Sequence, residues 1–183
     1  MNFYFFIVMY LAISFTNGFI YNVPLTEPNG KLTENGRLRM SALYDNVKQD
    51  EEGLSLPKFY WVLKSFQHIH CLNDKQIKAY FNDVVYMKHL GYMTKEQFLD
   101  QIAKVFVIVE KIFNNVYKSC LKDNVMTKTE LIKALKECKI ELKDSKVTEV
   151  MTDFAGQNEN ITFNVFREIL GFLLHMNNPS LRS

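Results

Sequence analysis

The stretch Val147–Leu174 decides how the chain is read: VTEVMTDF, then AGQNEN, then ITFNVFREILGFLL. Val147, Val150, Met151 and Phe154 recur at i, i+3, i+4 and i+7, one face of an α-helix. The middle is small and polar, and Gly156, Asn158 and Asn160 tolerate turn conformations that other residues resist. Ile161-Thr162 then opens a second helical face of Phe163, Phe166, Ile169, Leu170 and Leu173. Thr162 stands where a helix N-cap belongs. The stretch predicts a helix, a tight loop and a second helix.

Its exit signature recurs. An apolar residue, a hydroxyl and a later Phe or Leu appear in Leu54-Ser55-Leu56-Pro57-Lys58-Phe59 and Met93-Thr94-Lys95-Glu96-Gln97-Phe98. They appear again in Met126-Thr127-Lys128-Thr129-Glu130-Leu131 and Ile161-Thr162-Phe163-Asn164-Val165-Phe166. The starts are 39, 33 and 35 residues apart (93−54, 126−93, 161−126). Four copies at near-regular spacing are a repeat of helix–loop–helix units.

From about Gly36 to Met176 the chain resembles the EF-hand superfamily, of the four-hand calmodulin and sarcoplasmic calcium-binding protein type. The resemblance rests on helix placement, the apolar residue at the eighth loop position, the hydroxyl at the ninth and Phe or Leu after the twelfth. It implies an all-α fold of four EF-hand-like units in two packed pairs, residues 36–106 and 107–176. The pattern Thr94 to Lys118 has no Gly or Pro, and Val105-Phe106-Val107-Ile108-Val109 is apolar on nearly every side. An exposed linker of that kind is an aggregation liability, so the expectation is a compact arrangement rather than a dumbbell.

The metal ligands depart from the family. A calcium loop needs oxygens at positions 1, 3 and 5 and a bidentate Glu at 12. The resemblance places Val47, Gln49, Glu51 and Lys58 there in loop one, and Tyr86, Lys88, Leu90 and Gln97 in loop two. Loop three offers Ser119, Leu121, Asp123 and Glu130, and loop four Phe154, Gly156, Asn158 and Val165. A lysine repels the cation that a glutamate would clasp. Only Ser119, Asp123 and Glu130 remain as a weak calcium set, so no cofactor is expected beyond that loop.

Residues 1–18 read as a secretory signal peptide: Phe3 to Phe15 is nearly all apolar and Thr16-Asn17-Gly18 follows. That run is shorter than the roughly 20 residues of a bilayer span, so no stable membrane span is expected. Residues 19–35 carry Pro24, Pro28 and Gly30 and read as an extended arm, and residues 177–183 as a loose tail. A net charge of +2 with interspersed signs leaves no footprint for nucleic acid. Cys71, Cys120 and Cys138 are too few for a disulfide framework. His68 and His70 are i and i+2 on a helix, where side chains diverge and cannot chelate together. No catalytic motif is present in the sequence.

Local signals set the elements. Leu38, Leu43, Tyr44 and Val47 predict a helix from about Gly36, and Phe59 to Ile69 an exit helix starting at Ser55. Asn73 with Gln76, Thr94 with Gln97, and Thr127 with Glu130 read as helix starts with reciprocal capping, and Asp144 or Ser145 as a further cap. The expected function is that of a secreted, non-catalytic binding protein. Phe59, Phe66, Phe81, Phe98, Phe163 and Phe166 would line an apolar groove for another polypeptide. The alternatives are a residual calcium binder through loop three and a carrier of a small apolar ligand. Asn160-Ile161-Thr162 is an N-glycosylation sequon. We predict that Asn160→Gln increases the gel mobility of the secreted protein; unchanged mobility means the sequon is unused.

Overall fold

Three apolar residues at helical spacing, Met40, Leu43 and Val47, together with Tyr44, form the buried face of the first helix. In the computed structural model, which describes residues 24–85 and 91–176, eight α-helices and no β-strand are found among the described residues. They are α1 (Glu34–Lys48), α2 (Leu56–Ser65), α3 (Gln67–His70), α4 (Asp74–Val85), α5 (Lys95–Cys120), α6 (Lys128–Glu137), α7 (Asp144–Ala155) and α8 (Phe163–Met176). The all-α class expected from the periodicity holds. The expected signal peptide, the first part of the arm, residues 86–90 of the second loop and the tail lie outside the described residues.

The described chain falls into two units, Pro24–Ile108 and Val109 onward, with the division inside α5. At 26 residues α5 is about 39 Å long, as the uninterrupted pattern predicts. Val105, Phe106 and Val109 are buried, while Val107 keeps 40% of its surface.

In the first unit α2 packs on α4. Phe59, Val62 and Leu63 of α2 and Ile77, Phe81 and Val85 of α4 are buried. In the second unit α7 packs on α6 and α8. Val147 and Val150 of α7, Leu131 and Leu135 of α6, and Phe166, Ile169, Leu170 and Leu173 of α8 are its core residues.

Capping follows the sequence closely. The Asn73 amide donates to Gln76 Oε1 (2.9 Å) and the Gln76 amide to Asn73 Oδ1 (3.0 Å). Thr94 and Gln97 exchange the same pair at 2.8 and 3.4 Å. Thr127 and Glu130 form the third box, and the Val165 amide donates to Thr162 Oγ1 at 3.4 Å.

Four expectations are corrected. The arm is not extended over residues 24–33: it turns back on itself, with Leu25 buried, Thr26 bridged to Leu32 and the Thr33 amide donating to the Leu25 carbonyl at 2.9 Å. Thr33 caps α1 by accepting from the Gly36 amide, so the helix begins at Glu34. The exit helix expected from Ser55 to Ile69 breaks at Phe66. There Ser65 Oγ turns back onto the Val62 carbonyl (2.7 Å) and the Phe66 amide tightens onto Leu63 (3.2 Å), which competes with continued α-helix. Neither Asp144 nor Ser145 caps α7. Lys143 holds that position without a side-chain bond, and the Asp144 carboxylate pairs instead with Lys128 at 2.6 Å.

Gln49 and Gly156 end α1 and α7 in one conformation, φ 58° and ψ −130° against φ 62° and ψ −127°. A side chain is strained there and a glycine is not. Gln49→Gly is expected to raise stability by about 1 kcal/mol and Gly156→Ala to lower it by about as much, read from denaturant midpoints.

Candidate functional site

The four repeat signatures meet in pairs. In the first unit the Leu54 amide donates to the Met93 carbonyl and the Met93 amide to the Leu54 carbonyl, both at 2.9 Å. Leu54 and Met93 are fully buried, and the two exchanged bonds make an antiparallel bridge between their loops. In the second unit the Ile161 amide donates to the Met126 carbonyl at 2.8 Å. Ile161 and Met126 are likewise buried.

A tyrosine on the entering helix reinforces each pair. Tyr44 Oη of α1 donates to the Met93 carbonyl at 3.1 Å, and Tyr117 Oη of α5 to the Ile161 carbonyl at 2.9 Å. Burial raises the pKa of both phenols above the ordinary value, so both stay protonated donors at neutral pH. The two pairs differ in one respect. The Met93 carbonyl takes Leu54 and Tyr44 together, whereas among the described residues Tyr117 is the donor to Ile161.

The twelfth loop residues face their own chain. Lys58 Nζ donates to the Lys48 carbonyl (3.0 Å) and lies 2.8 Å from Glu51 Oε1. Gln97 Nε2 donates to the Val84 carbonyl at 3.1 Å. Val165 brings only hydrocarbon.

The candidate calcium residues of loop three have other partners. Helix α5 runs on to Cys120, so Ser119 is helical, with Oγ 2.9 Å from the Val116 carbonyl and 3.1 Å from Glu137 Oε2. Asp123 and Asn124, at φ 51° and 63°, form a left-handed two-residue turn closed by Lys122 and Val125. Asp123 is exposed at its tip. Glu130 Oε2 accepts from the Thr127 amide at 3.1 Å and from the Thr127 hydroxyl. Those bonds hold the Glu130 carboxyl below its ordinary pKa. Among the described residues no group of three or more His, Cys, Asp and Glu side chains is gathered about one point.

The aromatic groove is a core. Phe59, Phe66, Phe81, Phe98 and Phe166 are buried, and Phe163 is half-buried. Phe59 meets Phe81 and Phe98 at 5.8 and 6.3 Å between ring centres, Phe98 meets Tyr44 at 5.5 Å, and Phe66 stacks on Phe106 at 6.5 Å. In the second unit Tyr117 lies 5.5 Å from Phe163 and 5.4 Å from Phe166. These rings satisfy one another, and of the six phenylalanines Phe163 alone keeps part of its surface open.

A groove of about 310 Å³ with mixed polar and apolar surface is lined by Ile132, Leu135, Lys136, Ile140, Glu141, Leu142 and Val147. A second hollow of about 360 Å³, its open surface largely apolar, is bordered by Thr127, Thr148, Met151, Thr152 and Asn158.

Two buried polar residues have structural partners. His70 Nδ1 accepts from the Leu72 amide (3.0 Å) and Nε2 lies 2.9 Å from the Leu63 carbonyl, and burial lowers its pKa. The ring is neutral at pH 7 and braces the α2–α3 corner. Arg167, 1% exposed, pairs with Glu110 at 2.9 Å. No disulfide joins the three cysteines. Among the described residues no helix is long and apolar enough to cross a membrane.

Comparison of the chain with family models, with curated proteins and with solved structures finds no match.

The unequal pairs give a test. Tyr117→Phe leaves the Ile161 carbonyl without its donor and is expected to cost about 1 kcal/mol. Tyr44→Phe leaves Met93 still bonded to Leu54 and should cost less, with both read from urea midpoints.

Proposed function

We propose that the chain is an EF-hand-like protein in which calcium binding is largely lost, acting as a secreted, non-catalytic module that binds another polypeptide. The observation that carries the reading is the reciprocal bridge between Leu54 and Met93. These residues hold the eighth position in the first two loops, where EF-hand loops pair. Met126 and Ile161, the eighth residues of the last two, are joined by a main-chain bond as well.

Metal chemistry finds little support. Lys58 places an ammonium on Glu51 Oε1, at the fifth loop position, an oxygen that a metal loop would offer to the ion. Gln97 donates to a carbonyl, and Glu130 accepts within its own helix cap. The polypeptide reading rests on the groove about Ile132, Ile140 and Leu142, a size that suits one or two apolar side chains.

A working hand is stabilised by its ion as RT ln(1 + [L]/Kd), about 2.7 kcal/mol at a hundredfold excess. Thermal melts of the purified protein in millimolar calcium and in chelator are therefore expected to coincide. A calcium-dependent rise abolished by Glu130→Gln would replace this reading with a calcium site in loop three. A small apolar molecule released from the secreted protein in native mass spectrometry would replace it with a carrier.

A further inference from the structure

Lys58 and Gln97 occupy the same place in the repeat and make the same kind of bond. Each stands one turn into the helix leaving its loop and donates to a main-chain carbonyl at or near the end of the helix entering it. Lys58 reaches Lys48, the last residue of α1. Gln97 reaches Val84, one residue before the end of α4, while its Oε1 accepts from the Thr94 amide. In loop one the arrangement is also ionic, since the Lys58 ammonium lies 2.8 Å from Glu51 Oε1. The Lys48 ammonium donates to the Glu51 carbonyl, so Glu51 is held at both its side chain and its main chain.

We infer that Lys58 is a tethered cation clamping the end of α1 to the start of α2, with Gln97 as its neutral counterpart between α4 and α5. A metal ion in such a loop gathers oxygens from both flanking helices into one shell. A side-chain donor does part of that work from one helix, permanently and without regard to free cation concentration. The matching positions of the second unit make no such bond. Val165 has no donor, and Glu130 accepts within the start of α6 rather than reaching across. The second unit links the helices about its third loop differently, through Ser119 Oγ at the end of α5 and Glu137 Oε2 of α6 at 3.1 Å.

The inference deepens the EF-hand-like reading by naming what replaces the ion, and the two fail separately. A calcium-dependent melt of the parent chain defeats that reading, whereas the clamp is judged by local opening. Amide hydrogen exchange of the full chain reads opening at the bridge amides Leu54 and Met93 against Leu131 and Ile161 of the second unit.

Lys58→Met keeps the aliphatic stem and loses the donor. It is expected to speed exchange at Leu54 and Met93 by about tenfold, the order set by a charge-assisted bond discounted for exposure. The amides of the second unit should hold their parent rates. Lys58→Gln, which installs the donor of the second loop, should recover most of the protection. Parent-like exchange in Lys58→Met, or equal acceleration in both units, overturns the clamp. Should Lys58→Met not fold, the exposed Glu51→Gln reads the same contact. A rise of about threefold confined to Leu54 and Met93 supports it, and no rise overturns it.

Discussion

The first unit depends on two main-chain hydrogen bonds exchanged between Leu54 and Met93. Each links a loop to a loop, and each loop joins two helices, so the pair sets the position of four helix ends together. The bonds lie in apolar surroundings, where an unpaired amide or carbonyl costs more than the net worth of the bond. Separating the loops would therefore expose four unmet polar groups as well as two buried side chains. The aromatic packing follows from this placement. Phe59 and Phe98 each lie five residues beyond a bridge residue, and their rings come to 6.3 Å with Phe81 and Tyr44 around them.

The second unit shows the same plan with fewer fixed points. Among the described residues one main-chain bond joins its loops and the Tyr117 hydroxyl of α5 reaches the fourth, while its third loop closes early on the Asp123-Asn124 turn. Arg167 is, among the described residues, the most deeply buried charge of its core. A buried guanidinium is stable only with a partner, and Glu110 on α5 supplies the carboxylate. That pair ties α8 to α5 by direction and distance where apolar packing would allow sliding.

What could be read from the sequence was mostly local. Helix faces and the capping pairs at Asn73, Thr94 and Thr127 are set by spacings under a dozen residues, and Leu54, Met93, Met126 and Ile161 by a short signature repeated every 33 to 39 residues. The Arg167–Glu110 pair spans 57 positions and the Tyr44 bond 49, and nothing in either neighbourhood marks them. The break at Phe66 was hidden because the apolar period continues through it, while the competing signal is a single serine hydroxyl. Treating the third loop as a metal loop by its register obscured a plainer cue. Asp-Asn between Lys122 and Val125 is the composition of a left-handed two-residue turn. The aromatic residues were correctly placed on inward helix faces, but periodicity alone cannot tell a groove from a filled core.

The closeness of the first loop pair also bears on how this chain can change by descent. A methyl group added at Gly53 would lie 2.2 Å from the Tyr92 ring and 2.8 Å from the Met93 carbonyl. The ring can swing away, but the carbonyl is held by Leu54 and Tyr44. Position 53 is thus closed to every larger residue while the bridge persists, whatever stands at position 92. Among descendants of this chain, loss of Gly53 should be inherited together with a rearranged bridge, so that one codon serves as a record of whether the loops still pair.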